Sequence, residues 1–353
     1  MVVFVEENIE ELLESARATW KEPIVQEFLK KTRMAELVKV IGENFKVWPD
    51  DFIRSIDKSM KSYANCWAAA SKAHSESGLY KKIVEAADIK SGLTVDLGCG
   101  SGGLLAELPD GWVGVDINNY SLQAAEQFVK SRGKSVERFS RSHISFDPES
   151  GFILKPHPYL LETDFKKNIL LADDLRTFQN TIRLLYNQGV KADTATFTMW
   201  GGFSNYLGIE FIDWIAKAWG KKEDNSLLLP ERVLEYGPKI CRQGGRLVFA
   251  VRTCKFEGPE NLYAYDRKGR RIDVAEGLRS ASRSGEEMIE KYKHLYELED
   301  KGEIPVTVDE NKFGLNVYPQ AADYSQQETK ELLDQVGIKN LPVAVRIYVL
   351  KVK

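Results

Sequence analysis

The chain is short of the groups that staple a protein or hold a metal: 353 residues carry four cysteines, four histidines and five methionines. Cys66, Cys99, Cys241 and Cys254 show no Cys-x-x-Cys spacing and sit in apolar or glycine-rich surroundings. Neither a zinc site nor a disulfide framework is indicated, and with no metal-ligand set visible the expectation is metal independence and reduced, mostly structural thiols. Long apolar runs are missing as well. No stretch approaches the roughly 20 residues of a membrane span, and the start, Met1-Val2-Val3-Phe4-Val5-Glu6-Glu7, lacks a basic n-region and a long h-region. The expectation is a cytoplasmic protein. Excess charge of one sign is absent too, since 49 Lys and Arg against 52 Asp and Glu leave a formal net charge of −3. Such a balance supplies no overall pull toward nucleic acid or an anionic membrane. Internal repeats and low-complexity linkers are also lacking.

What is present is a 43% apolar composition, enough to fill the core of one large domain or two modest ones. Residues 6 to 90 read as helices. Ile9, Leu12, Leu13 and Ala16 make one stripe, and Phe52, Ile53, Ile56, Met60, Tyr63, Trp67 and Ala70 keep an i, i+3, i+4 rhythm after Pro49-Asp50-Asp51, a good first turn. A βαβ series follows, with strands near 93–97, 112–116, 168–172, 194–199 and 246–251. The helices between them are expected near 102–108, 119–131, 175–188, 209–219 and 230–241. This alternation implies an α/β fold with a doubly wound, mostly parallel sheet covered by helices on both faces. The expected organisation is a helical N-terminal cover over 1–90 and one α/β domain over 91–353, with insertions at 132–166 and 255–325.

The first insertion holds His143, His157 and a hairpin turning at Pro148-Glu149-Ser150-Gly151. The second begins with a basic stretch, Arg267, Lys268, Arg270, Arg271, Arg279 and Arg283, and continues into a helix opened by Ser284 with Glu287 placed for a capping box. The basic stretch is interleaved with Asp266, Asp273 and Glu276, so it reads as a solvated face or a clamp for an acidic group on a small ligand more than as a nucleic-acid groove.

The chemistry concentrates at Thr94-Val95-Asp96-Leu97-Gly98-Cys99-Gly100-Ser101-Gly102-Gly103, where a strand runs into a glycine-rich loop, and at Asp116, which ends the next apolar run. Glycines let a loop hug a ligand in conformations other residues avoid, and the turn that follows aims free N–H groups at it. Asp116 stands where a carboxylate accepts both hydroxyls of a ribose. Gly98, Gly100 and Gly103 also satisfy the dinucleotide fingerprint G-x-G-x-x-G, so spacing alone leaves NAD open. Asp96 separates the two readings, because a carboxylate two residues before the first glycine repels a pyrophosphate and attracts a positively charged ligand.

With Asp96, Gly98, Gly100 and Gly102 in place, the stretch resembles motif I of the class I S-adenosylmethionine (SAM)-dependent methyltransferases, an acidic residue followed by Gly-x-Gly-x-Gly. The resemblance implies a Rossmann-like sheet of seven strands, and residues 328–336 and 344–350 fit its closing helix and antiparallel strand, as Gly244-Gly245 fits the turn into its fifth strand. It implies SAM as cofactor, with Asp96 and Gly98-Cys99-Gly100 through Gly102 along the methionyl part. Asp116 with Ile117 would hold the ribose, and Asp173 or Asp174 with Leu175 the adenine. Asp173-Asp174-Leu175 could equally cap the next helix. Met199 and Trp200, after the fourth strand, would complete the cofactor pocket. Trp200 with Phe203, and Tyr63 with Trp67 one turn apart, would wall a small-molecule acceptor, although a Tyr–Trp pair at helical spacing also fits a core. Tyr63 and His157 are the candidates for a catalytic base. The alternatives kept open are an NAD-dependent oxidoreductase, a SAM-binding protein without turnover, and a homodimer formed through the N-terminal apolar stripes.

Overall fold

Pro49, Asp50 and Asp51 lie in the first turn of α1 (Trp48–Glu76), where a missing N–H costs nothing. The computed structural model describes residues 48–139, 142–147, 151–156, 167–173, 178–199, 229–254, 258–276, 287–309, 326–338 and 343–353, with residues 14, 18, 23 and 312. Gly78, at φ 75°, turns the chain between α1 and α2 (Leu79–Ala86). α1 lies antiparallel along α3 (Asn119–Ser131). At one end Arg132, the C-cap of α3, donates from Nη2 to Ser75 Oγ at 3.1 Å, and at the other Lys61 Nζ lies 5.8 Å from the centre of the Tyr120 ring. The preceding turns of α1, residues 48–60, therefore overhang the first turn of α3 by about 20 Å at 1.5 Å per residue.

The central sheet has eight strands in the order β11-β12-β8-β7-β1-β2-β6-β3. These are β1 (Thr94–Leu97), β2 (Trp112–Asp116), β3 (Glu137–Phe139), β6 (Ile169–Ala172), β7 (Ala192–Met199), β8 (Cys241–Cys254), β11 (Tyr296–Pro305) and β12 (Val343–Val352). From β3 to β8 every pairing is parallel. β12 is antiparallel to both its neighbours, β8 and β11. The closing helix is α6 (Gln326–Gln335). Among the described residues no helix is long and apolar enough to cross a membrane.

Three expectations need correction. The sheet has eight strands rather than seven, because β3 adds a parallel edge beside β6. A three-residue strand carries too little alternation to register in the sequence; Arg138 on it is held by Glu126 of α3, Nε to Oε2 at 2.8 Å. Within 255–325, Tyr296–Pro305 is the other edge strand of the same sheet, and its run of Glu, Asp and Lys hid it. Charges on an edge strand discourage pairing with another chain. The expected helix over 102–108 is a series of turns, with helical bonds only from Ala106 N to Gly102 O and from Leu108 N to Leu104 O. The expected helix over 209–219 lies outside the described residues, as does Ser284, while 287–291 are helical.

The remaining elements are α4 (Gln179–Asn187), α5 (Leu229–Ile240) and two hairpins. β4 (Ser142–Asp147) pairs with β5 (Gly151–Pro156), and β9 (Tyr263–Tyr265) with β10 (Arg271–Asp273). Ala264 and Val274 pack there on Leu332 and Leu333 of α6.

Strand alternation assigns the two faces of the sheet. Val95, Leu97, Val113 and Val115 look toward α4 and α5, in a layer with Phe178, Leu184 and Val233. Leu170, Val248 and Ile347 look toward α1, α2 and α3, in a layer with Trp67, Tyr80, Ile83, Leu122 and Ala125. Asp96, between Val95 and Leu97, therefore belongs to the α1–α3 side.

Candidate functional site at the carboxyl ends of the strands

From β1 the chain goes out to β2 and β6 on one side and to β7 and β8 on the other, so the strand order reverses between β1 and β7. In open parallel sheets this crevice, outside the carboxyl ends, is where ligands bind. The register places Thr196 of β7 beside Asp96 of β1. Thr196 Oγ1 donates to Asp96 Oδ1 at 2.6 Å, while the buried Oδ2 has no hydrogen-bond partner. Burial pushes the Asp96 carboxyl up to about 7, the Thr196 bond opposing and the nearby charge of Asp116 adding to the shift.

The glycine loop rides on the neighbouring strand. Gly98 N and Cys99 N both donate to Val115 O, at 2.7 and 2.8 Å. Gly100 takes φ 51°, and a Cβ there would meet nothing within 4 Å, so this turn of the loop borders open space. Gly102 takes φ 78°, and a Cβ there would come within 2.9 Å of Ala125 Cβ on α3. Asp116 ties the loop down: Gly100 N donates to its Oδ2 at 2.9 Å and Asn118 N to its Oδ1 at 2.8 Å. Burial pushes the Asp116 carboxyl up to about 6, against the pull of those backbone bonds. Each carboxylate oxygen keeps a second lone pair for a ligand hydroxyl. Asn118 in turn caps α3, accepting from Tyr120 N at 3.0 Å and Ser121 N at 3.4 Å.

Asp173 takes the helix-capping role. Its Oδ2 accepts from Thr181 N at 2.8 Å and Thr181 Oγ1 at 2.7 Å, and its Oδ1 from Asn180 N at 3.2 Å, all in the first turns of α4. Phe178 just before them is fully buried with φ 48°, a conformation that costs a bulky residue strain.

The other sequence candidates fall out as follows. Cys99 is buried, its thiol raised well above the ordinary range by desolvation, which makes it a packing residue under the loop. Ile117 packs against the core on the α4–α5 side. Trp67 is 7% exposed in the core between α1 and the sheet, the core alternative for that residue. Tyr63 lies on α1 and Met199 ends β7, but their side chains fall outside the described residues, as do Asp174, Leu175, Trp200, Phe203 and His157 altogether. In the basic stretch, Arg267 pairs with Glu331, Arg270 with Asp266, and Arg271 stacks 4.2 Å over the Tyr263 ring.

Sequence reasoning missed Thr196 and Asn118. Thr196 stands 100 residues from Asp96, so only the strand register reveals it. Asn118 did carry a signal, an Asn directly before a helix. An open cavity of about 470 Å³ lined by Ile289, His294, Leu298 and Lys353 sits at the opposite, amino ends of the strands, away from this chemistry.

No protein-family model and no curated protein matches the chain. Its fold is similar to that of a putative methyltransferase from Bacillus halodurans C-125, at 11% identity and a TM-score of 0.41, covering 78% of this chain and 99% of that one. It is also similar to a SAM-dependent methyltransferase from Thiobacillus denitrificans in complex with S-adenosyl-L-homocysteine, at 11% identity and a TM-score of 0.40, covering 78% and 90%. One from Geobacter sulfurreducens, in the same type of complex, gives 12% identity, a TM-score of 0.38 and coverage of 78% and 90%.

Proposed function

We propose that the chain is a class I SAM-dependent methyltransferase acting on a small-molecule acceptor. The observation that carries this reading is the buried Asp96: one oxygen is satisfied by Thr196, the other lacks a partner, and the residue lies two positions before a left-handed glycine loop. A pyrophosphate would meet a repelling carboxylate there, whereas a cationic ligand would stabilise its ionised form. The reversed β12 between β8 and β11 adds support, since the dinucleotide-binding sheet, with its order 3-2-1-4-5-6, has no place for it.

SAM supplies an electrophilic sulfonium methyl, so the protein's work is to align the acceptor with the carbon–sulfur bond and to exclude water. In this reading Asp116 accepts the ribose hydroxyls while its other lone pairs hold Gly100 and Asn118, which fixes the loop and the ribose relative to one another. Asp96 favours the positive charge of the methionyl end. Residues 48–60 of α1 overhang the cofactor side of the sheet and stand where an acceptor would be covered.

The test is a calorimetric titration of the cofactor-free protein with SAM, S-adenosylhomocysteine and NADH in parallel. Binding of the first two without heat from NADH is expected; binding of NADH alone would overturn the reading. Acceptors are then found by following S-adenosylhomocysteine formation against a metabolite extract, and tight SAM binding without any product would favour a non-catalytic role.

A further inference from the structure

Gly103, the residue after the left-handed glycines, has no room for a side chain: a Cβ there would lie 2.2 Å from Cε2, 2.5 Å from Cζ and 2.9 Å from Cδ2 of Tyr80. Tyr80 belongs to α2 and is 3% exposed. Its hydroxyl reaches across to α1, where it donates to Ser71 Oγ at 3.3 Å in a buried contact, and the His74 ring stands edge-on to it at 6.2 Å. Burial raises the phenol above its ordinary range, the Ser71 bond opposing and the charge of Asp96 adding to the shift. One aromatic ring thus touches α1, α2 and the exit of the loop.

The loop is seated on two supports, Gly102 on Ala125 of α3 and Gly103 on Tyr80 of α2. Neither support can retreat, because both lie within one packed core layer on that side of the sheet. We propose that Tyr80 is a positioning residue for the cofactor: its ring sets where the glycine loop stands over Asp96, and its hydroxyl ties that position to α1. The proposal rests on the reading of the loop as a cofactor site. It extends that reading by making the N-terminal helices part of the loop's support and not only a cover. Coupling of this kind is reciprocal, so a ligand that fixes the loop also steadies α1.

The test uses the steric pair. Gly103→Ala should weaken S-adenosylhomocysteine binding about tenfold or more, because overpacking must shift either the loop or the ring. Adding Tyr80→Val to Gly103→Ala makes room for the new methyl and should return the affinity to within about threefold of wild type. A merely structural Tyr80 would give a double variant no better than the single one, and that result would overturn the proposal, as would wild-type affinity in Gly103→Ala. If Gly103→Ala does not fold, the double variant decides alone: folding with near wild-type affinity supports the proposal, and failure to fold or bind overturns it. Tyr80→Phe keeps the ring and removes the Ser71 bond, so affinity should hold while ligand-induced hydrogen-exchange protection of α1 diminishes. Should the wild type bind no S-adenosylhomocysteine, the cofactor reading fails first; thermal melts then read the pair separately, with Gly103→Ala destabilised and the double variant restored.

Discussion

Aspartates on the two sides of the sheet lead opposite lives. At the parallel centre, Asp96 and Asp116 are buried, 0% and 4% exposed, and both carboxyls are pushed up by desolvation. On the edge strand β11, Asp300 is in reach of solvent and held by the Arg346 guanidinium, which lowers its carboxyl below the usual range. The edge pair follows the ordinary economy of a protein surface, where a charge is placed beside its opposite and contributes little. The central pair opposes the stability of the unliganded fold, an arrangement that clusters at functional sites.

Four experiments sharpen or break this contrast. Asp116→Ala, which removes the proposed ribose acceptor and unpins Gly100, should lower SAM affinity about 100-fold in calorimetry, the loss of two charge-assisted bonds. Unchanged affinity would end the ribose role. Asp96→Asn should weaken SAM about tenfold while raising the melting temperature of the unliganded protein by about 2 °C, since it removes a buried charge; a lower melting temperature would sink the idea that Asp96 opposes stability.

The third is a pH series. Both central carboxyls hold their protons more tightly folded than unfolded, so their contribution is fully present below the ordinary aspartate range. It is lost as pH rises through about 6 and about 7. Thermal melts of the unliganded wild type should show a downward component between pH 5 and about 8 that Asp96→Asn flattens; equal slopes in the two proteins would contradict it. The smallest effect is expected of Asp300→Asn, below about 1 kcal/mol at neutral pH, with ligand affinity unchanged. The sign of its pH dependence is reversed, because a lowered carboxyl contributes above its ordinary range and loses that contribution as pH falls. Chemical denaturation of this variant at pH 4 and 7 checks it, and a gap that widened at pH 4 would be the wrong sign.

The local parts of the site were legible. Asp96, three glycines and Asp116 lie within 21 positions, and their spacing alone requires a strand, a tight loop and a second strand. What had to wait for the fold involves distant partners. Thr196 reaches Asp96 only through the β1–β7 register, Tyr80 meets Gly103 through helix packing, and the choice between capping and ligand roles for Asp173 depended on where α4 begins. The two edge strands stayed hidden for the same reason, since β3 has three residues and β11 sets Glu297, Glu299, Asp300, Lys301 and Glu303 among its few apolar ones, so neither imprints a core pattern.

The position of β12 bears on how the chain is made. Residues 343–352 follow the other seven strands of the central sheet along the chain, yet they lie inside it between β8 and β11. A nascent chain emerging at roughly 5–20 residues per second can assemble its parallel half early. It must hold β8 and β11 apart as two open edges until the final strand slides between them. Arrest or cleavage just short of residue 343 would leave β1, β2 and the glycine loop in place on a sheet that any passing strand could complete.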